Sequence, residues 1–313
     1  MTTNDEQKRH IYTVLDYIKN NLHTDLSLEN LAEVSTYSPY HFHRLFNRIM
    51  GETPSDYVKR VRMEEAAHYL IYEPNMSVTE IAFKCGFSSN SYFTSAFKAF
   101  FKHSPKAWRE GAYLEKFPRP YLDSKKSKQQ STNPKEPSET RGYNGFQWVD
   151  LARVKIERLP EMSVLFLQHF GAYTEEISNT WDQIYQYTET RDLITDETRM
   201  IGVPHNNPYI TPENLCRYDC CITIPQGFQP EPHMKTKVFA ASKYVFYEFE
   251  EAVSFADRGL LIECYSELYS YWLPKSGYKC LSTPMEIIEL DSSSDRFKME
   301  PKIVKIGLPI LPK

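Results

Sequence analysis

Two short sets of polar side chains in the first third of the chain have the chemistry to read a nucleic-acid duplex. His43 and Arg44 in one, and Asn90 and Thr94 in the other, supply donors and acceptors suited to base edges in a major groove. Lys59, Arg60, Lys98, Lys102 and Lys106 are spaced to hold phosphates beside them. Far downstream, Glu286 is a carboxylate inside the apolar run 285–290, where a charge needs a reason to be present. Cys216, Cys220 and Cys221 suggest zinc at first sight. However, a Cys-x3-Cys-Cys on a strand lacks the paired spacing of structural zinc sites, and alternation sends Cys220 and Cys221 to opposite faces, so they are expected to be packing thiols. His10, His23, His68 and His103 are scattered, which points to surface or phosphate-contact positions rather than to a sensor.

The elements that must position the first two sets repeat. Leu31-Ala32, Ser38, Phe42, Phe46, Gly51 and Thr53-Pro54 are answered by Ile81-Ala82, Gly86-Phe87-Ser88, Phe93, Phe97 and Ser104-Pro105. Each aromatic pair at i, i+4 puts two rings on one face of a short helix, leaving the opposite face polar. A twofold repeat is too short for a solenoid and fits two helix-turn-helix modules. Apolar spacing predicts a first helix over 8–22, a second opened by a Ser27 cap, a third from Ser38-Pro39 to about Arg48, and a connecting helix over 54–71 that buries Tyr57, Val58, Val61, Ala66 and Leu70. Thr79 to Cys85 and Ser89 to Phe101 repeat the pair. A rigid connecting helix can hold two recognition helices in successive major grooves, about 34 Å apart.

The remainder has a different texture. The chain has 313 residues and a net charge of -4, with 41% hydrophobic residues and 14% aromatics, enough for two or three cores. Residues 1–113 carry 13 Lys/Arg against 13 Asp/Glu, whereas residues 151–313 carry 17 against 23, so the acidity sits at the C-terminal end. Residues 124–143 are rich in Lys, Ser, Gln and Pro and read as an extended linker. No window approaches about eighteen consecutive apolar residues, and the polar opening residues give no signal peptide, so a cytoplasmic protein with no membrane partner is expected. Six cysteines are then reduced thiols. No Gly-rich phosphate loop, Gly-x-Ser-x-Gly or His-Glu-x-x-His occurs, so neither a cofactor nor an enzyme is expected.

After residue 150, strands are expected at 154–156, 163–170, 218–224, 244–249, 285–290 and 302–309, with helices over 175–190 and 260–272. The fold class is therefore multidomain: an all-α domain with two helix-turn-helix motifs, followed by an α+β domain with a duplicated plan, which the resemblance described next gives as β-α-β-β.

Residues 8–113 resemble the DNA-binding domain of the AraC/XylS family of bacterial transcription regulators. Ile81-Ala82, Gly86-Phe87, Ser91-Tyr92-Phe93, Phe97-Lys98, Ser104-Pro105 and Trp108-Arg109 carry the likeness. The resemblance implies that Tyr40, His43 and Arg44 read one major groove and Asn90, Ser91, Thr94 and Ser95 the next, with Lys98 alongside. Lys102 departs from the family's Gly, which Gly51 keeps in the first copy, and a different turn is expected there.

Residues 150–311 resemble the GyrI-like, SOUL-type effector-binding domain through Gly171-Ala172-Tyr173, Thr211-Pro212-Glu213, Cys216-Arg217-Tyr218-Asp219, Trp272-Leu273-Pro274 and Ser276-Gly277-Tyr278; residues 114–149 join the two domains. That family takes small hydrophobic, often cationic, effectors. Glu286 matches its pocket carboxylate, with Glu289 as the alternative, and Tyr173, Trp181, Tyr247, Trp272 and Tyr278 are wall candidates. His169-Phe170-Gly171 keeps the family's turn, whereas 250–255 in the second half has lost its Gly. By resemblance the partners are promoter DNA, RNA polymerase and the effector, and activation is favoured over repression. Hydrolysis of a small molecule, with Glu286 as base beside Tyr247 or Tyr278, and a protein-docking role are the alternatives.

Overall fold

A computed structural model describes residues 3–116, 153–174, 176–231, 234–255, 257–290 and 301–313. The stretch 124–143, read above as a linker, lies outside the described residues. The chain divides into two compact units, Met1–Tyr113 and Leu114–Lys313.

The first unit is helical: α1 (Thr3–Asn20), α2 (Leu28–Ser35), α3 (Pro39–Met50), α4 (Pro54–Tyr72), α5 (Val78–Lys84), α6 (Asn90–Phe101) and α7 (Pro105–Arg109). Start signals in the sequence set these boundaries. Ser38, Thr53, Ser77, Ser89 and Ser104 each accept a backbone N–H three residues on, and proline occupies the first turn of α3, α4 and α7. Ser27 is the exception. Its hydroxyl donates to Asp25 at 3.2 Å instead of capping α2. The aromatic repeat packs alike in both copies, with centroids 5.5 Å apart for Phe42–Phe46 and for Phe93–Phe97. Trp108 extends the second cluster and donates its indole N–H to the Ala67 carbonyl of α4 at 3.3 Å.

The expected difference between the two turns is absent. Lys102 ends α6 at φ 67, ψ 0, and Gly51 ends α3 at φ 72, ψ 3. The left-handed closure is set by the geometry of the repeat, and Lys102 adopts it despite its side chain.

The second unit contains β1 (Val154–Leu159), β2 (Met162–Phe170), α8 (Glu176–Glu189), β3 (Met200–Pro204), β4 (Arg217–Thr223), β5 (Lys235–Phe239), β6 (Ser242–Ser254), α9 (Arg258–Glu267), a π-helical turn at Leu268–Trp272, α10 (Leu273–Lys275), β7 (Tyr278–Cys280), β8 (Met285–Leu290) and β9 (Pro301–Pro312). The strands form one sheet in the order β1-β6-β9-β8-β3-β4-β2-β5, with β7 also pairing β9. The pairings within it are antiparallel. The duplication is visible in that order: β2-α8-β3-β4 and β6-α9-β8-β9 are equivalent β-α-β-β units, joined through β3 and β8 at the centre. Leu159, Phe166, Ile201, Cys221, Tyr244, Phe246 and Met285 share one core, so strands far apart in the order meet and the sheet curls. The edge strands β1 and β5 carry the exposed apolar residues Ile156 and Val238.

Candidate functional site

On the first unit, α3 and α6 bury their ring faces and turn polar faces outward. Tyr40 is 73% exposed, and Arg44 and Asn47 stand beside it in solvent. The Arg44 guanidinium lies 5.7 Å over the Tyr40 ring, a cation–π contact that holds both side chains up from the helix. His43 is half-buried. On α6, Asn90, Ser91, Ser95 and Lys98 are exposed and Thr94 is half-buried. Tyr92, absent from the expected contact set, is 56% exposed at the start of the same helix, although its place in the repeat marked it only as a motif residue.

Among the phosphate candidates, Lys59, Lys98, Lys102 and Lys106 are exposed. Arg60 is not available. It is buried between Glu52, at 2.5 Å, and Glu64, at 3.0 Å, and these two carboxylates stabilise its charge despite the cost of burial. Sequence spacing placed it next to Lys59, but adjacent helical residues point about 100° apart, and Arg60 takes the inward direction. Two histidines likewise leave the surface set. His10 contacts the Ser35 carbonyl through Nδ1 at 2.8 Å, and His68 packs against Tyr69 and Tyr72, where burial lowers its pKa.

In the second unit the site forms where the two halves meet. Gly202 of β3 pairs with Glu286 of β8. Glu286 is fully buried, while Glu289 is exposed. The register slips between Ile287 and Ile288. The Tyr218 hydroxyl, from β4, donates to Glu286 Oε2 at 2.6 Å, and Tyr265, from α9, donates to Oε1 at 3.2 Å. Gly202 makes the first of these possible, because a Cβ at that position would lie 1.6 Å from the Tyr218 hydroxyl. Tyr218 is braced edge-on by Tyr173 at 5.3 Å and Phe255 at 5.7 Å.

Of the five wall candidates, Tyr173 reaches this carboxylate's surroundings through Tyr218. Tyr173 is buried and donates to the Arg217 carbonyl at 2.6 Å, so its hydroxyl serves the turn after β2, while its ring supports Tyr218. Trp181, fully buried on α8, has an indole N–H with no hydrogen-bond partner among the described residues. Tyr247 is buried on β6 against Phe249. Trp272, in the π-helical turn, stacks on Tyr278 at 6.2 Å and 13°. The tyrosines bonded to Glu286 are therefore Tyr218 and Tyr265, not the Tyr247 or Tyr278 weighed for a catalytic pair. No spacing rule links residues 68 and 21 positions away from Glu286. The available signal was Gly202, a glycine in an apolar run, which marks a close approach.

The reverse of β4 carries a different cluster. Asp219 receives His205 at 2.9 Å, Lys237 at 2.6 Å and the Gln168 amide at 3.2 Å. Burial raises its pKa, but the His205, Lys237 and Arg217 charges outweigh that and hold it well below the ordinary carboxylate value. Cys220 and Cys221 follow it on β4, and alternation places them on opposite faces of the strand. Burial pushes the Cys221 thiol up to about 12 and raises that of Cys220 strongly.

Residues 31–111 match a helix-turn-helix domain family, and residues 152–310 match the GyrI-like small molecule binding domain. The HTH-type transcriptional activator RhaS of Yersinia pestis (strain Pestoides F) is 35% identical over 105 residues, covering 34% of this chain and 38% of that protein. The bifunctional transcriptional activator/DNA repair enzyme AdaA of Bacillus subtilis (strain 168) is 35% identical over 102 residues, covering 33% of this chain and 48% of that protein. The chain thus spans less than half the length of these relatives. Among solved structures, the DNA-binding domain of AdpA, a global transcriptional factor, in complex with a target DNA is 28% identical, covering 35% of this chain and 96% of that chain at a TM-score of 0.32. No helix among the described residues is long and apolar enough to cross a membrane.

Proposed function

The chain belongs to the GyrI-like family of small molecule binding domains, here carried behind an AraC-type helix-turn-helix domain, and from that premise we propose that it is an effector-controlled transcription activator. Residues 8–113 bind double-stranded promoter DNA. The observation that carries this reading is the duplicated outward face: two helices of like core packing, one presenting Tyr40, His43 and Arg44, the other Asn90, Ser91, Thr94, Ser95 and Lys98. The first set has the reach for direct base contacts. The second has short side chains suited to few or water-bridged ones.

Residues 150–311 bind a small hydrophobic effector, with Glu286 as the anchoring carboxylate in preference to the exposed Glu289. Its burial supports a cationic effector, since a positive group placed against a carboxylate away from water gains far more than it would in solvent. Tyr218 and Tyr265 orient the carboxylate, and the indole N–H of Trp181 is a donor for a polar group of the ligand. The effector shifts the chain between states that differ in DNA affinity or in contact with RNA polymerase. A cytoplasmic setting follows from this role.

Selection of duplexes from a random-sequence pool by the full chain tests the first half. Enrichment of a bipartite site with its parts about one helical turn apart is expected. Recovery of no common sequence would contradict it. For the second half, the melting temperature of the full chain should rise with lipophilic cations more than with neutral hydrophobes or anions, and the rise should vanish in Glu286→Gln.

A further inference from the structure

We propose that Arg62 and Gly86 form a joint that fixes the spacing and relative angle of the two recognition helices, making Arg62 a positioning residue for DNA binding. The proposal rests on the DNA-binding reading above. Arg62 lies on the connecting helix α4, and its fork reaches out of that helix to the first module. Nε donates to the Leu22 carbonyl at 3.0 Å and Nη2 to the Thr24 carbonyl at 2.9 Å. Both carbonyls belong to the loop between α1 and α2, where no helix partner exists for them.

The second module arrives at the same point. Gly86 sits in the turn between α5 and α6 at φ +78. A Cβ there would lie 2.1 Å from the Leu22 carbonyl oxygen and 2.8 Å from both Cζ and Nε of Arg62. Loop, connecting helix and turn therefore meet with no space for a methyl group, and the left-handed backbone independently favours glycine. Each module also has its own ring core, Phe42–Phe46 on one side and Phe93–Phe97–Trp108 on the other. What Arg62 adds is a planar two-bond link from α4 to module one, against which module two is seated. A lysine could not reproduce it, because a single ammonium cannot hold both carbonyls in the fork geometry.

The joint borders a groove of about 640 Å³ between the modules, lined by His43 of α3, Lys59 of α4, and Ser88 and Tyr92 from the second module. The width of this groove and the separation of α3 from α6 are one geometric quantity. A rotation about the joint changes both.

The test uses the full chain and the bipartite duplex it selects, with the spacing between the two parts changed by one base pair in either direction. Each such change moves one part by about 3.4 Å and turns it by about 34°. Wild type should lose at least about tenfold in affinity for each shifted duplex. In Arg62→Ala, Arg62→Lys and Gly86→Ala the same ratio should fall below about threefold. Because it is a ratio for one protein preparation, a variant that is merely less stable leaves it unchanged, and Arg62→Lys keeps the test available if Arg62→Ala does not fold. A steep wild-type spacing preference that persists unchanged in the variants would overturn the joint and leave the DNA-binding reading intact. Failure of wild type to select any sequence would remove both.

Discussion

Arg44 and Tyr40 stand together on the outer face of α3, and the cation–π contact between them reduces the side-chain freedom lost on docking. Arg44→Ala is therefore expected to weaken specific duplex binding by about 1–3 kcal/mol and to relax selectivity at its base position, measured by titration against matched and substituted duplexes. Binding unchanged in strength and selectivity would remove α3 as the reading helix. Gly202 is a sharper case. Gly202→Ala drives a methyl into the Tyr218 hydroxyl and separates it from Glu286, so both overpacking and a weakened buried hydrogen bond apply. A loss of about 2–4 kcal/mol in denaturant unfolding of the second unit is expected. Asp219 contributes in the opposite pH direction from a raised base. Its folded pKa is depressed, so its stabilisation is complete above the unfolded value of about 3.9 and is lost as pH falls through the lower folded value. Wild-type stability should drop in that acid window, and Asp219→Asn should flatten the drop. The outward faces of α3 and α6 were legible in the sequence because helical phase places their residues opposite the ring pairs. Arg60 and the Tyr218–Glu286–Tyr265 bridge were not, since inward and outward directions at α4 and contacts across a curled sheet depend on packing partners distant in sequence.

At the scale of elements, the helices of the first unit were written plainly in Ser/Thr caps, Pro first turns and i, i+4 rings: α3 to α6 lie within two residues of expectation and α2 begins where expected, whereas α1 starts five residues early and the short α7 was not foreseen. One further exception was chemical, not positional. Lys102 takes the left-handed conformation that Gly51 takes in the other copy. Such a residue costs roughly 1–2 kcal/mol relative to glycine, partly offset by the roughly 0.5–1 kcal/mol of extra chain entropy that glycine loses on folding. Lys102→Gly should thus stabilise the first unit by roughly 0.5–1 kcal/mol in denaturant titrations, and a net destabilisation would show that the Lys102 side chain bond to the Ala99 carbonyl outweighs the strain. Among strands, β1 was foreseen from its alternation, and β2, β4, β6, β8 and β9 as short β-rich runs. The strand β3 was not, because Gly202 and Pro204 read as breakers, yet it lies at the centre of the sheet and is entirely buried. The second helix was foreseen as one run over 260–272, whereas α9 gives way to a π-helical turn at Leu268–Trp272, just beyond the residue that donates to Glu286.

At the scale of the whole molecule, two units of different texture carry two chemistries: a polar, repeated helical face and a carboxylate enclosed at the seam of a duplicated sheet. The order of these units and a duplicated α+β plan in the second could be read from composition and strand spacing, but the full β-α-β-β unit of the first half could not, because β3 was hidden. The proposed function requires a coupling free energy between them, typically about 1–3 kcal/mol for regulated proteins, and it has a direct readout. Transcription by bacterial RNA polymerase from a promoter carrying the selected duplex, with the full chain and with or without saturating tetraphenylphosphonium, reports that coupling whether it acts through DNA affinity or through polymerase contact. The account predicts a change in output of about fivefold or more with wild type and none with Glu286→Gln. Equal output with and without the cation in wild type, under conditions where the cation raises its melting temperature, would contradict it.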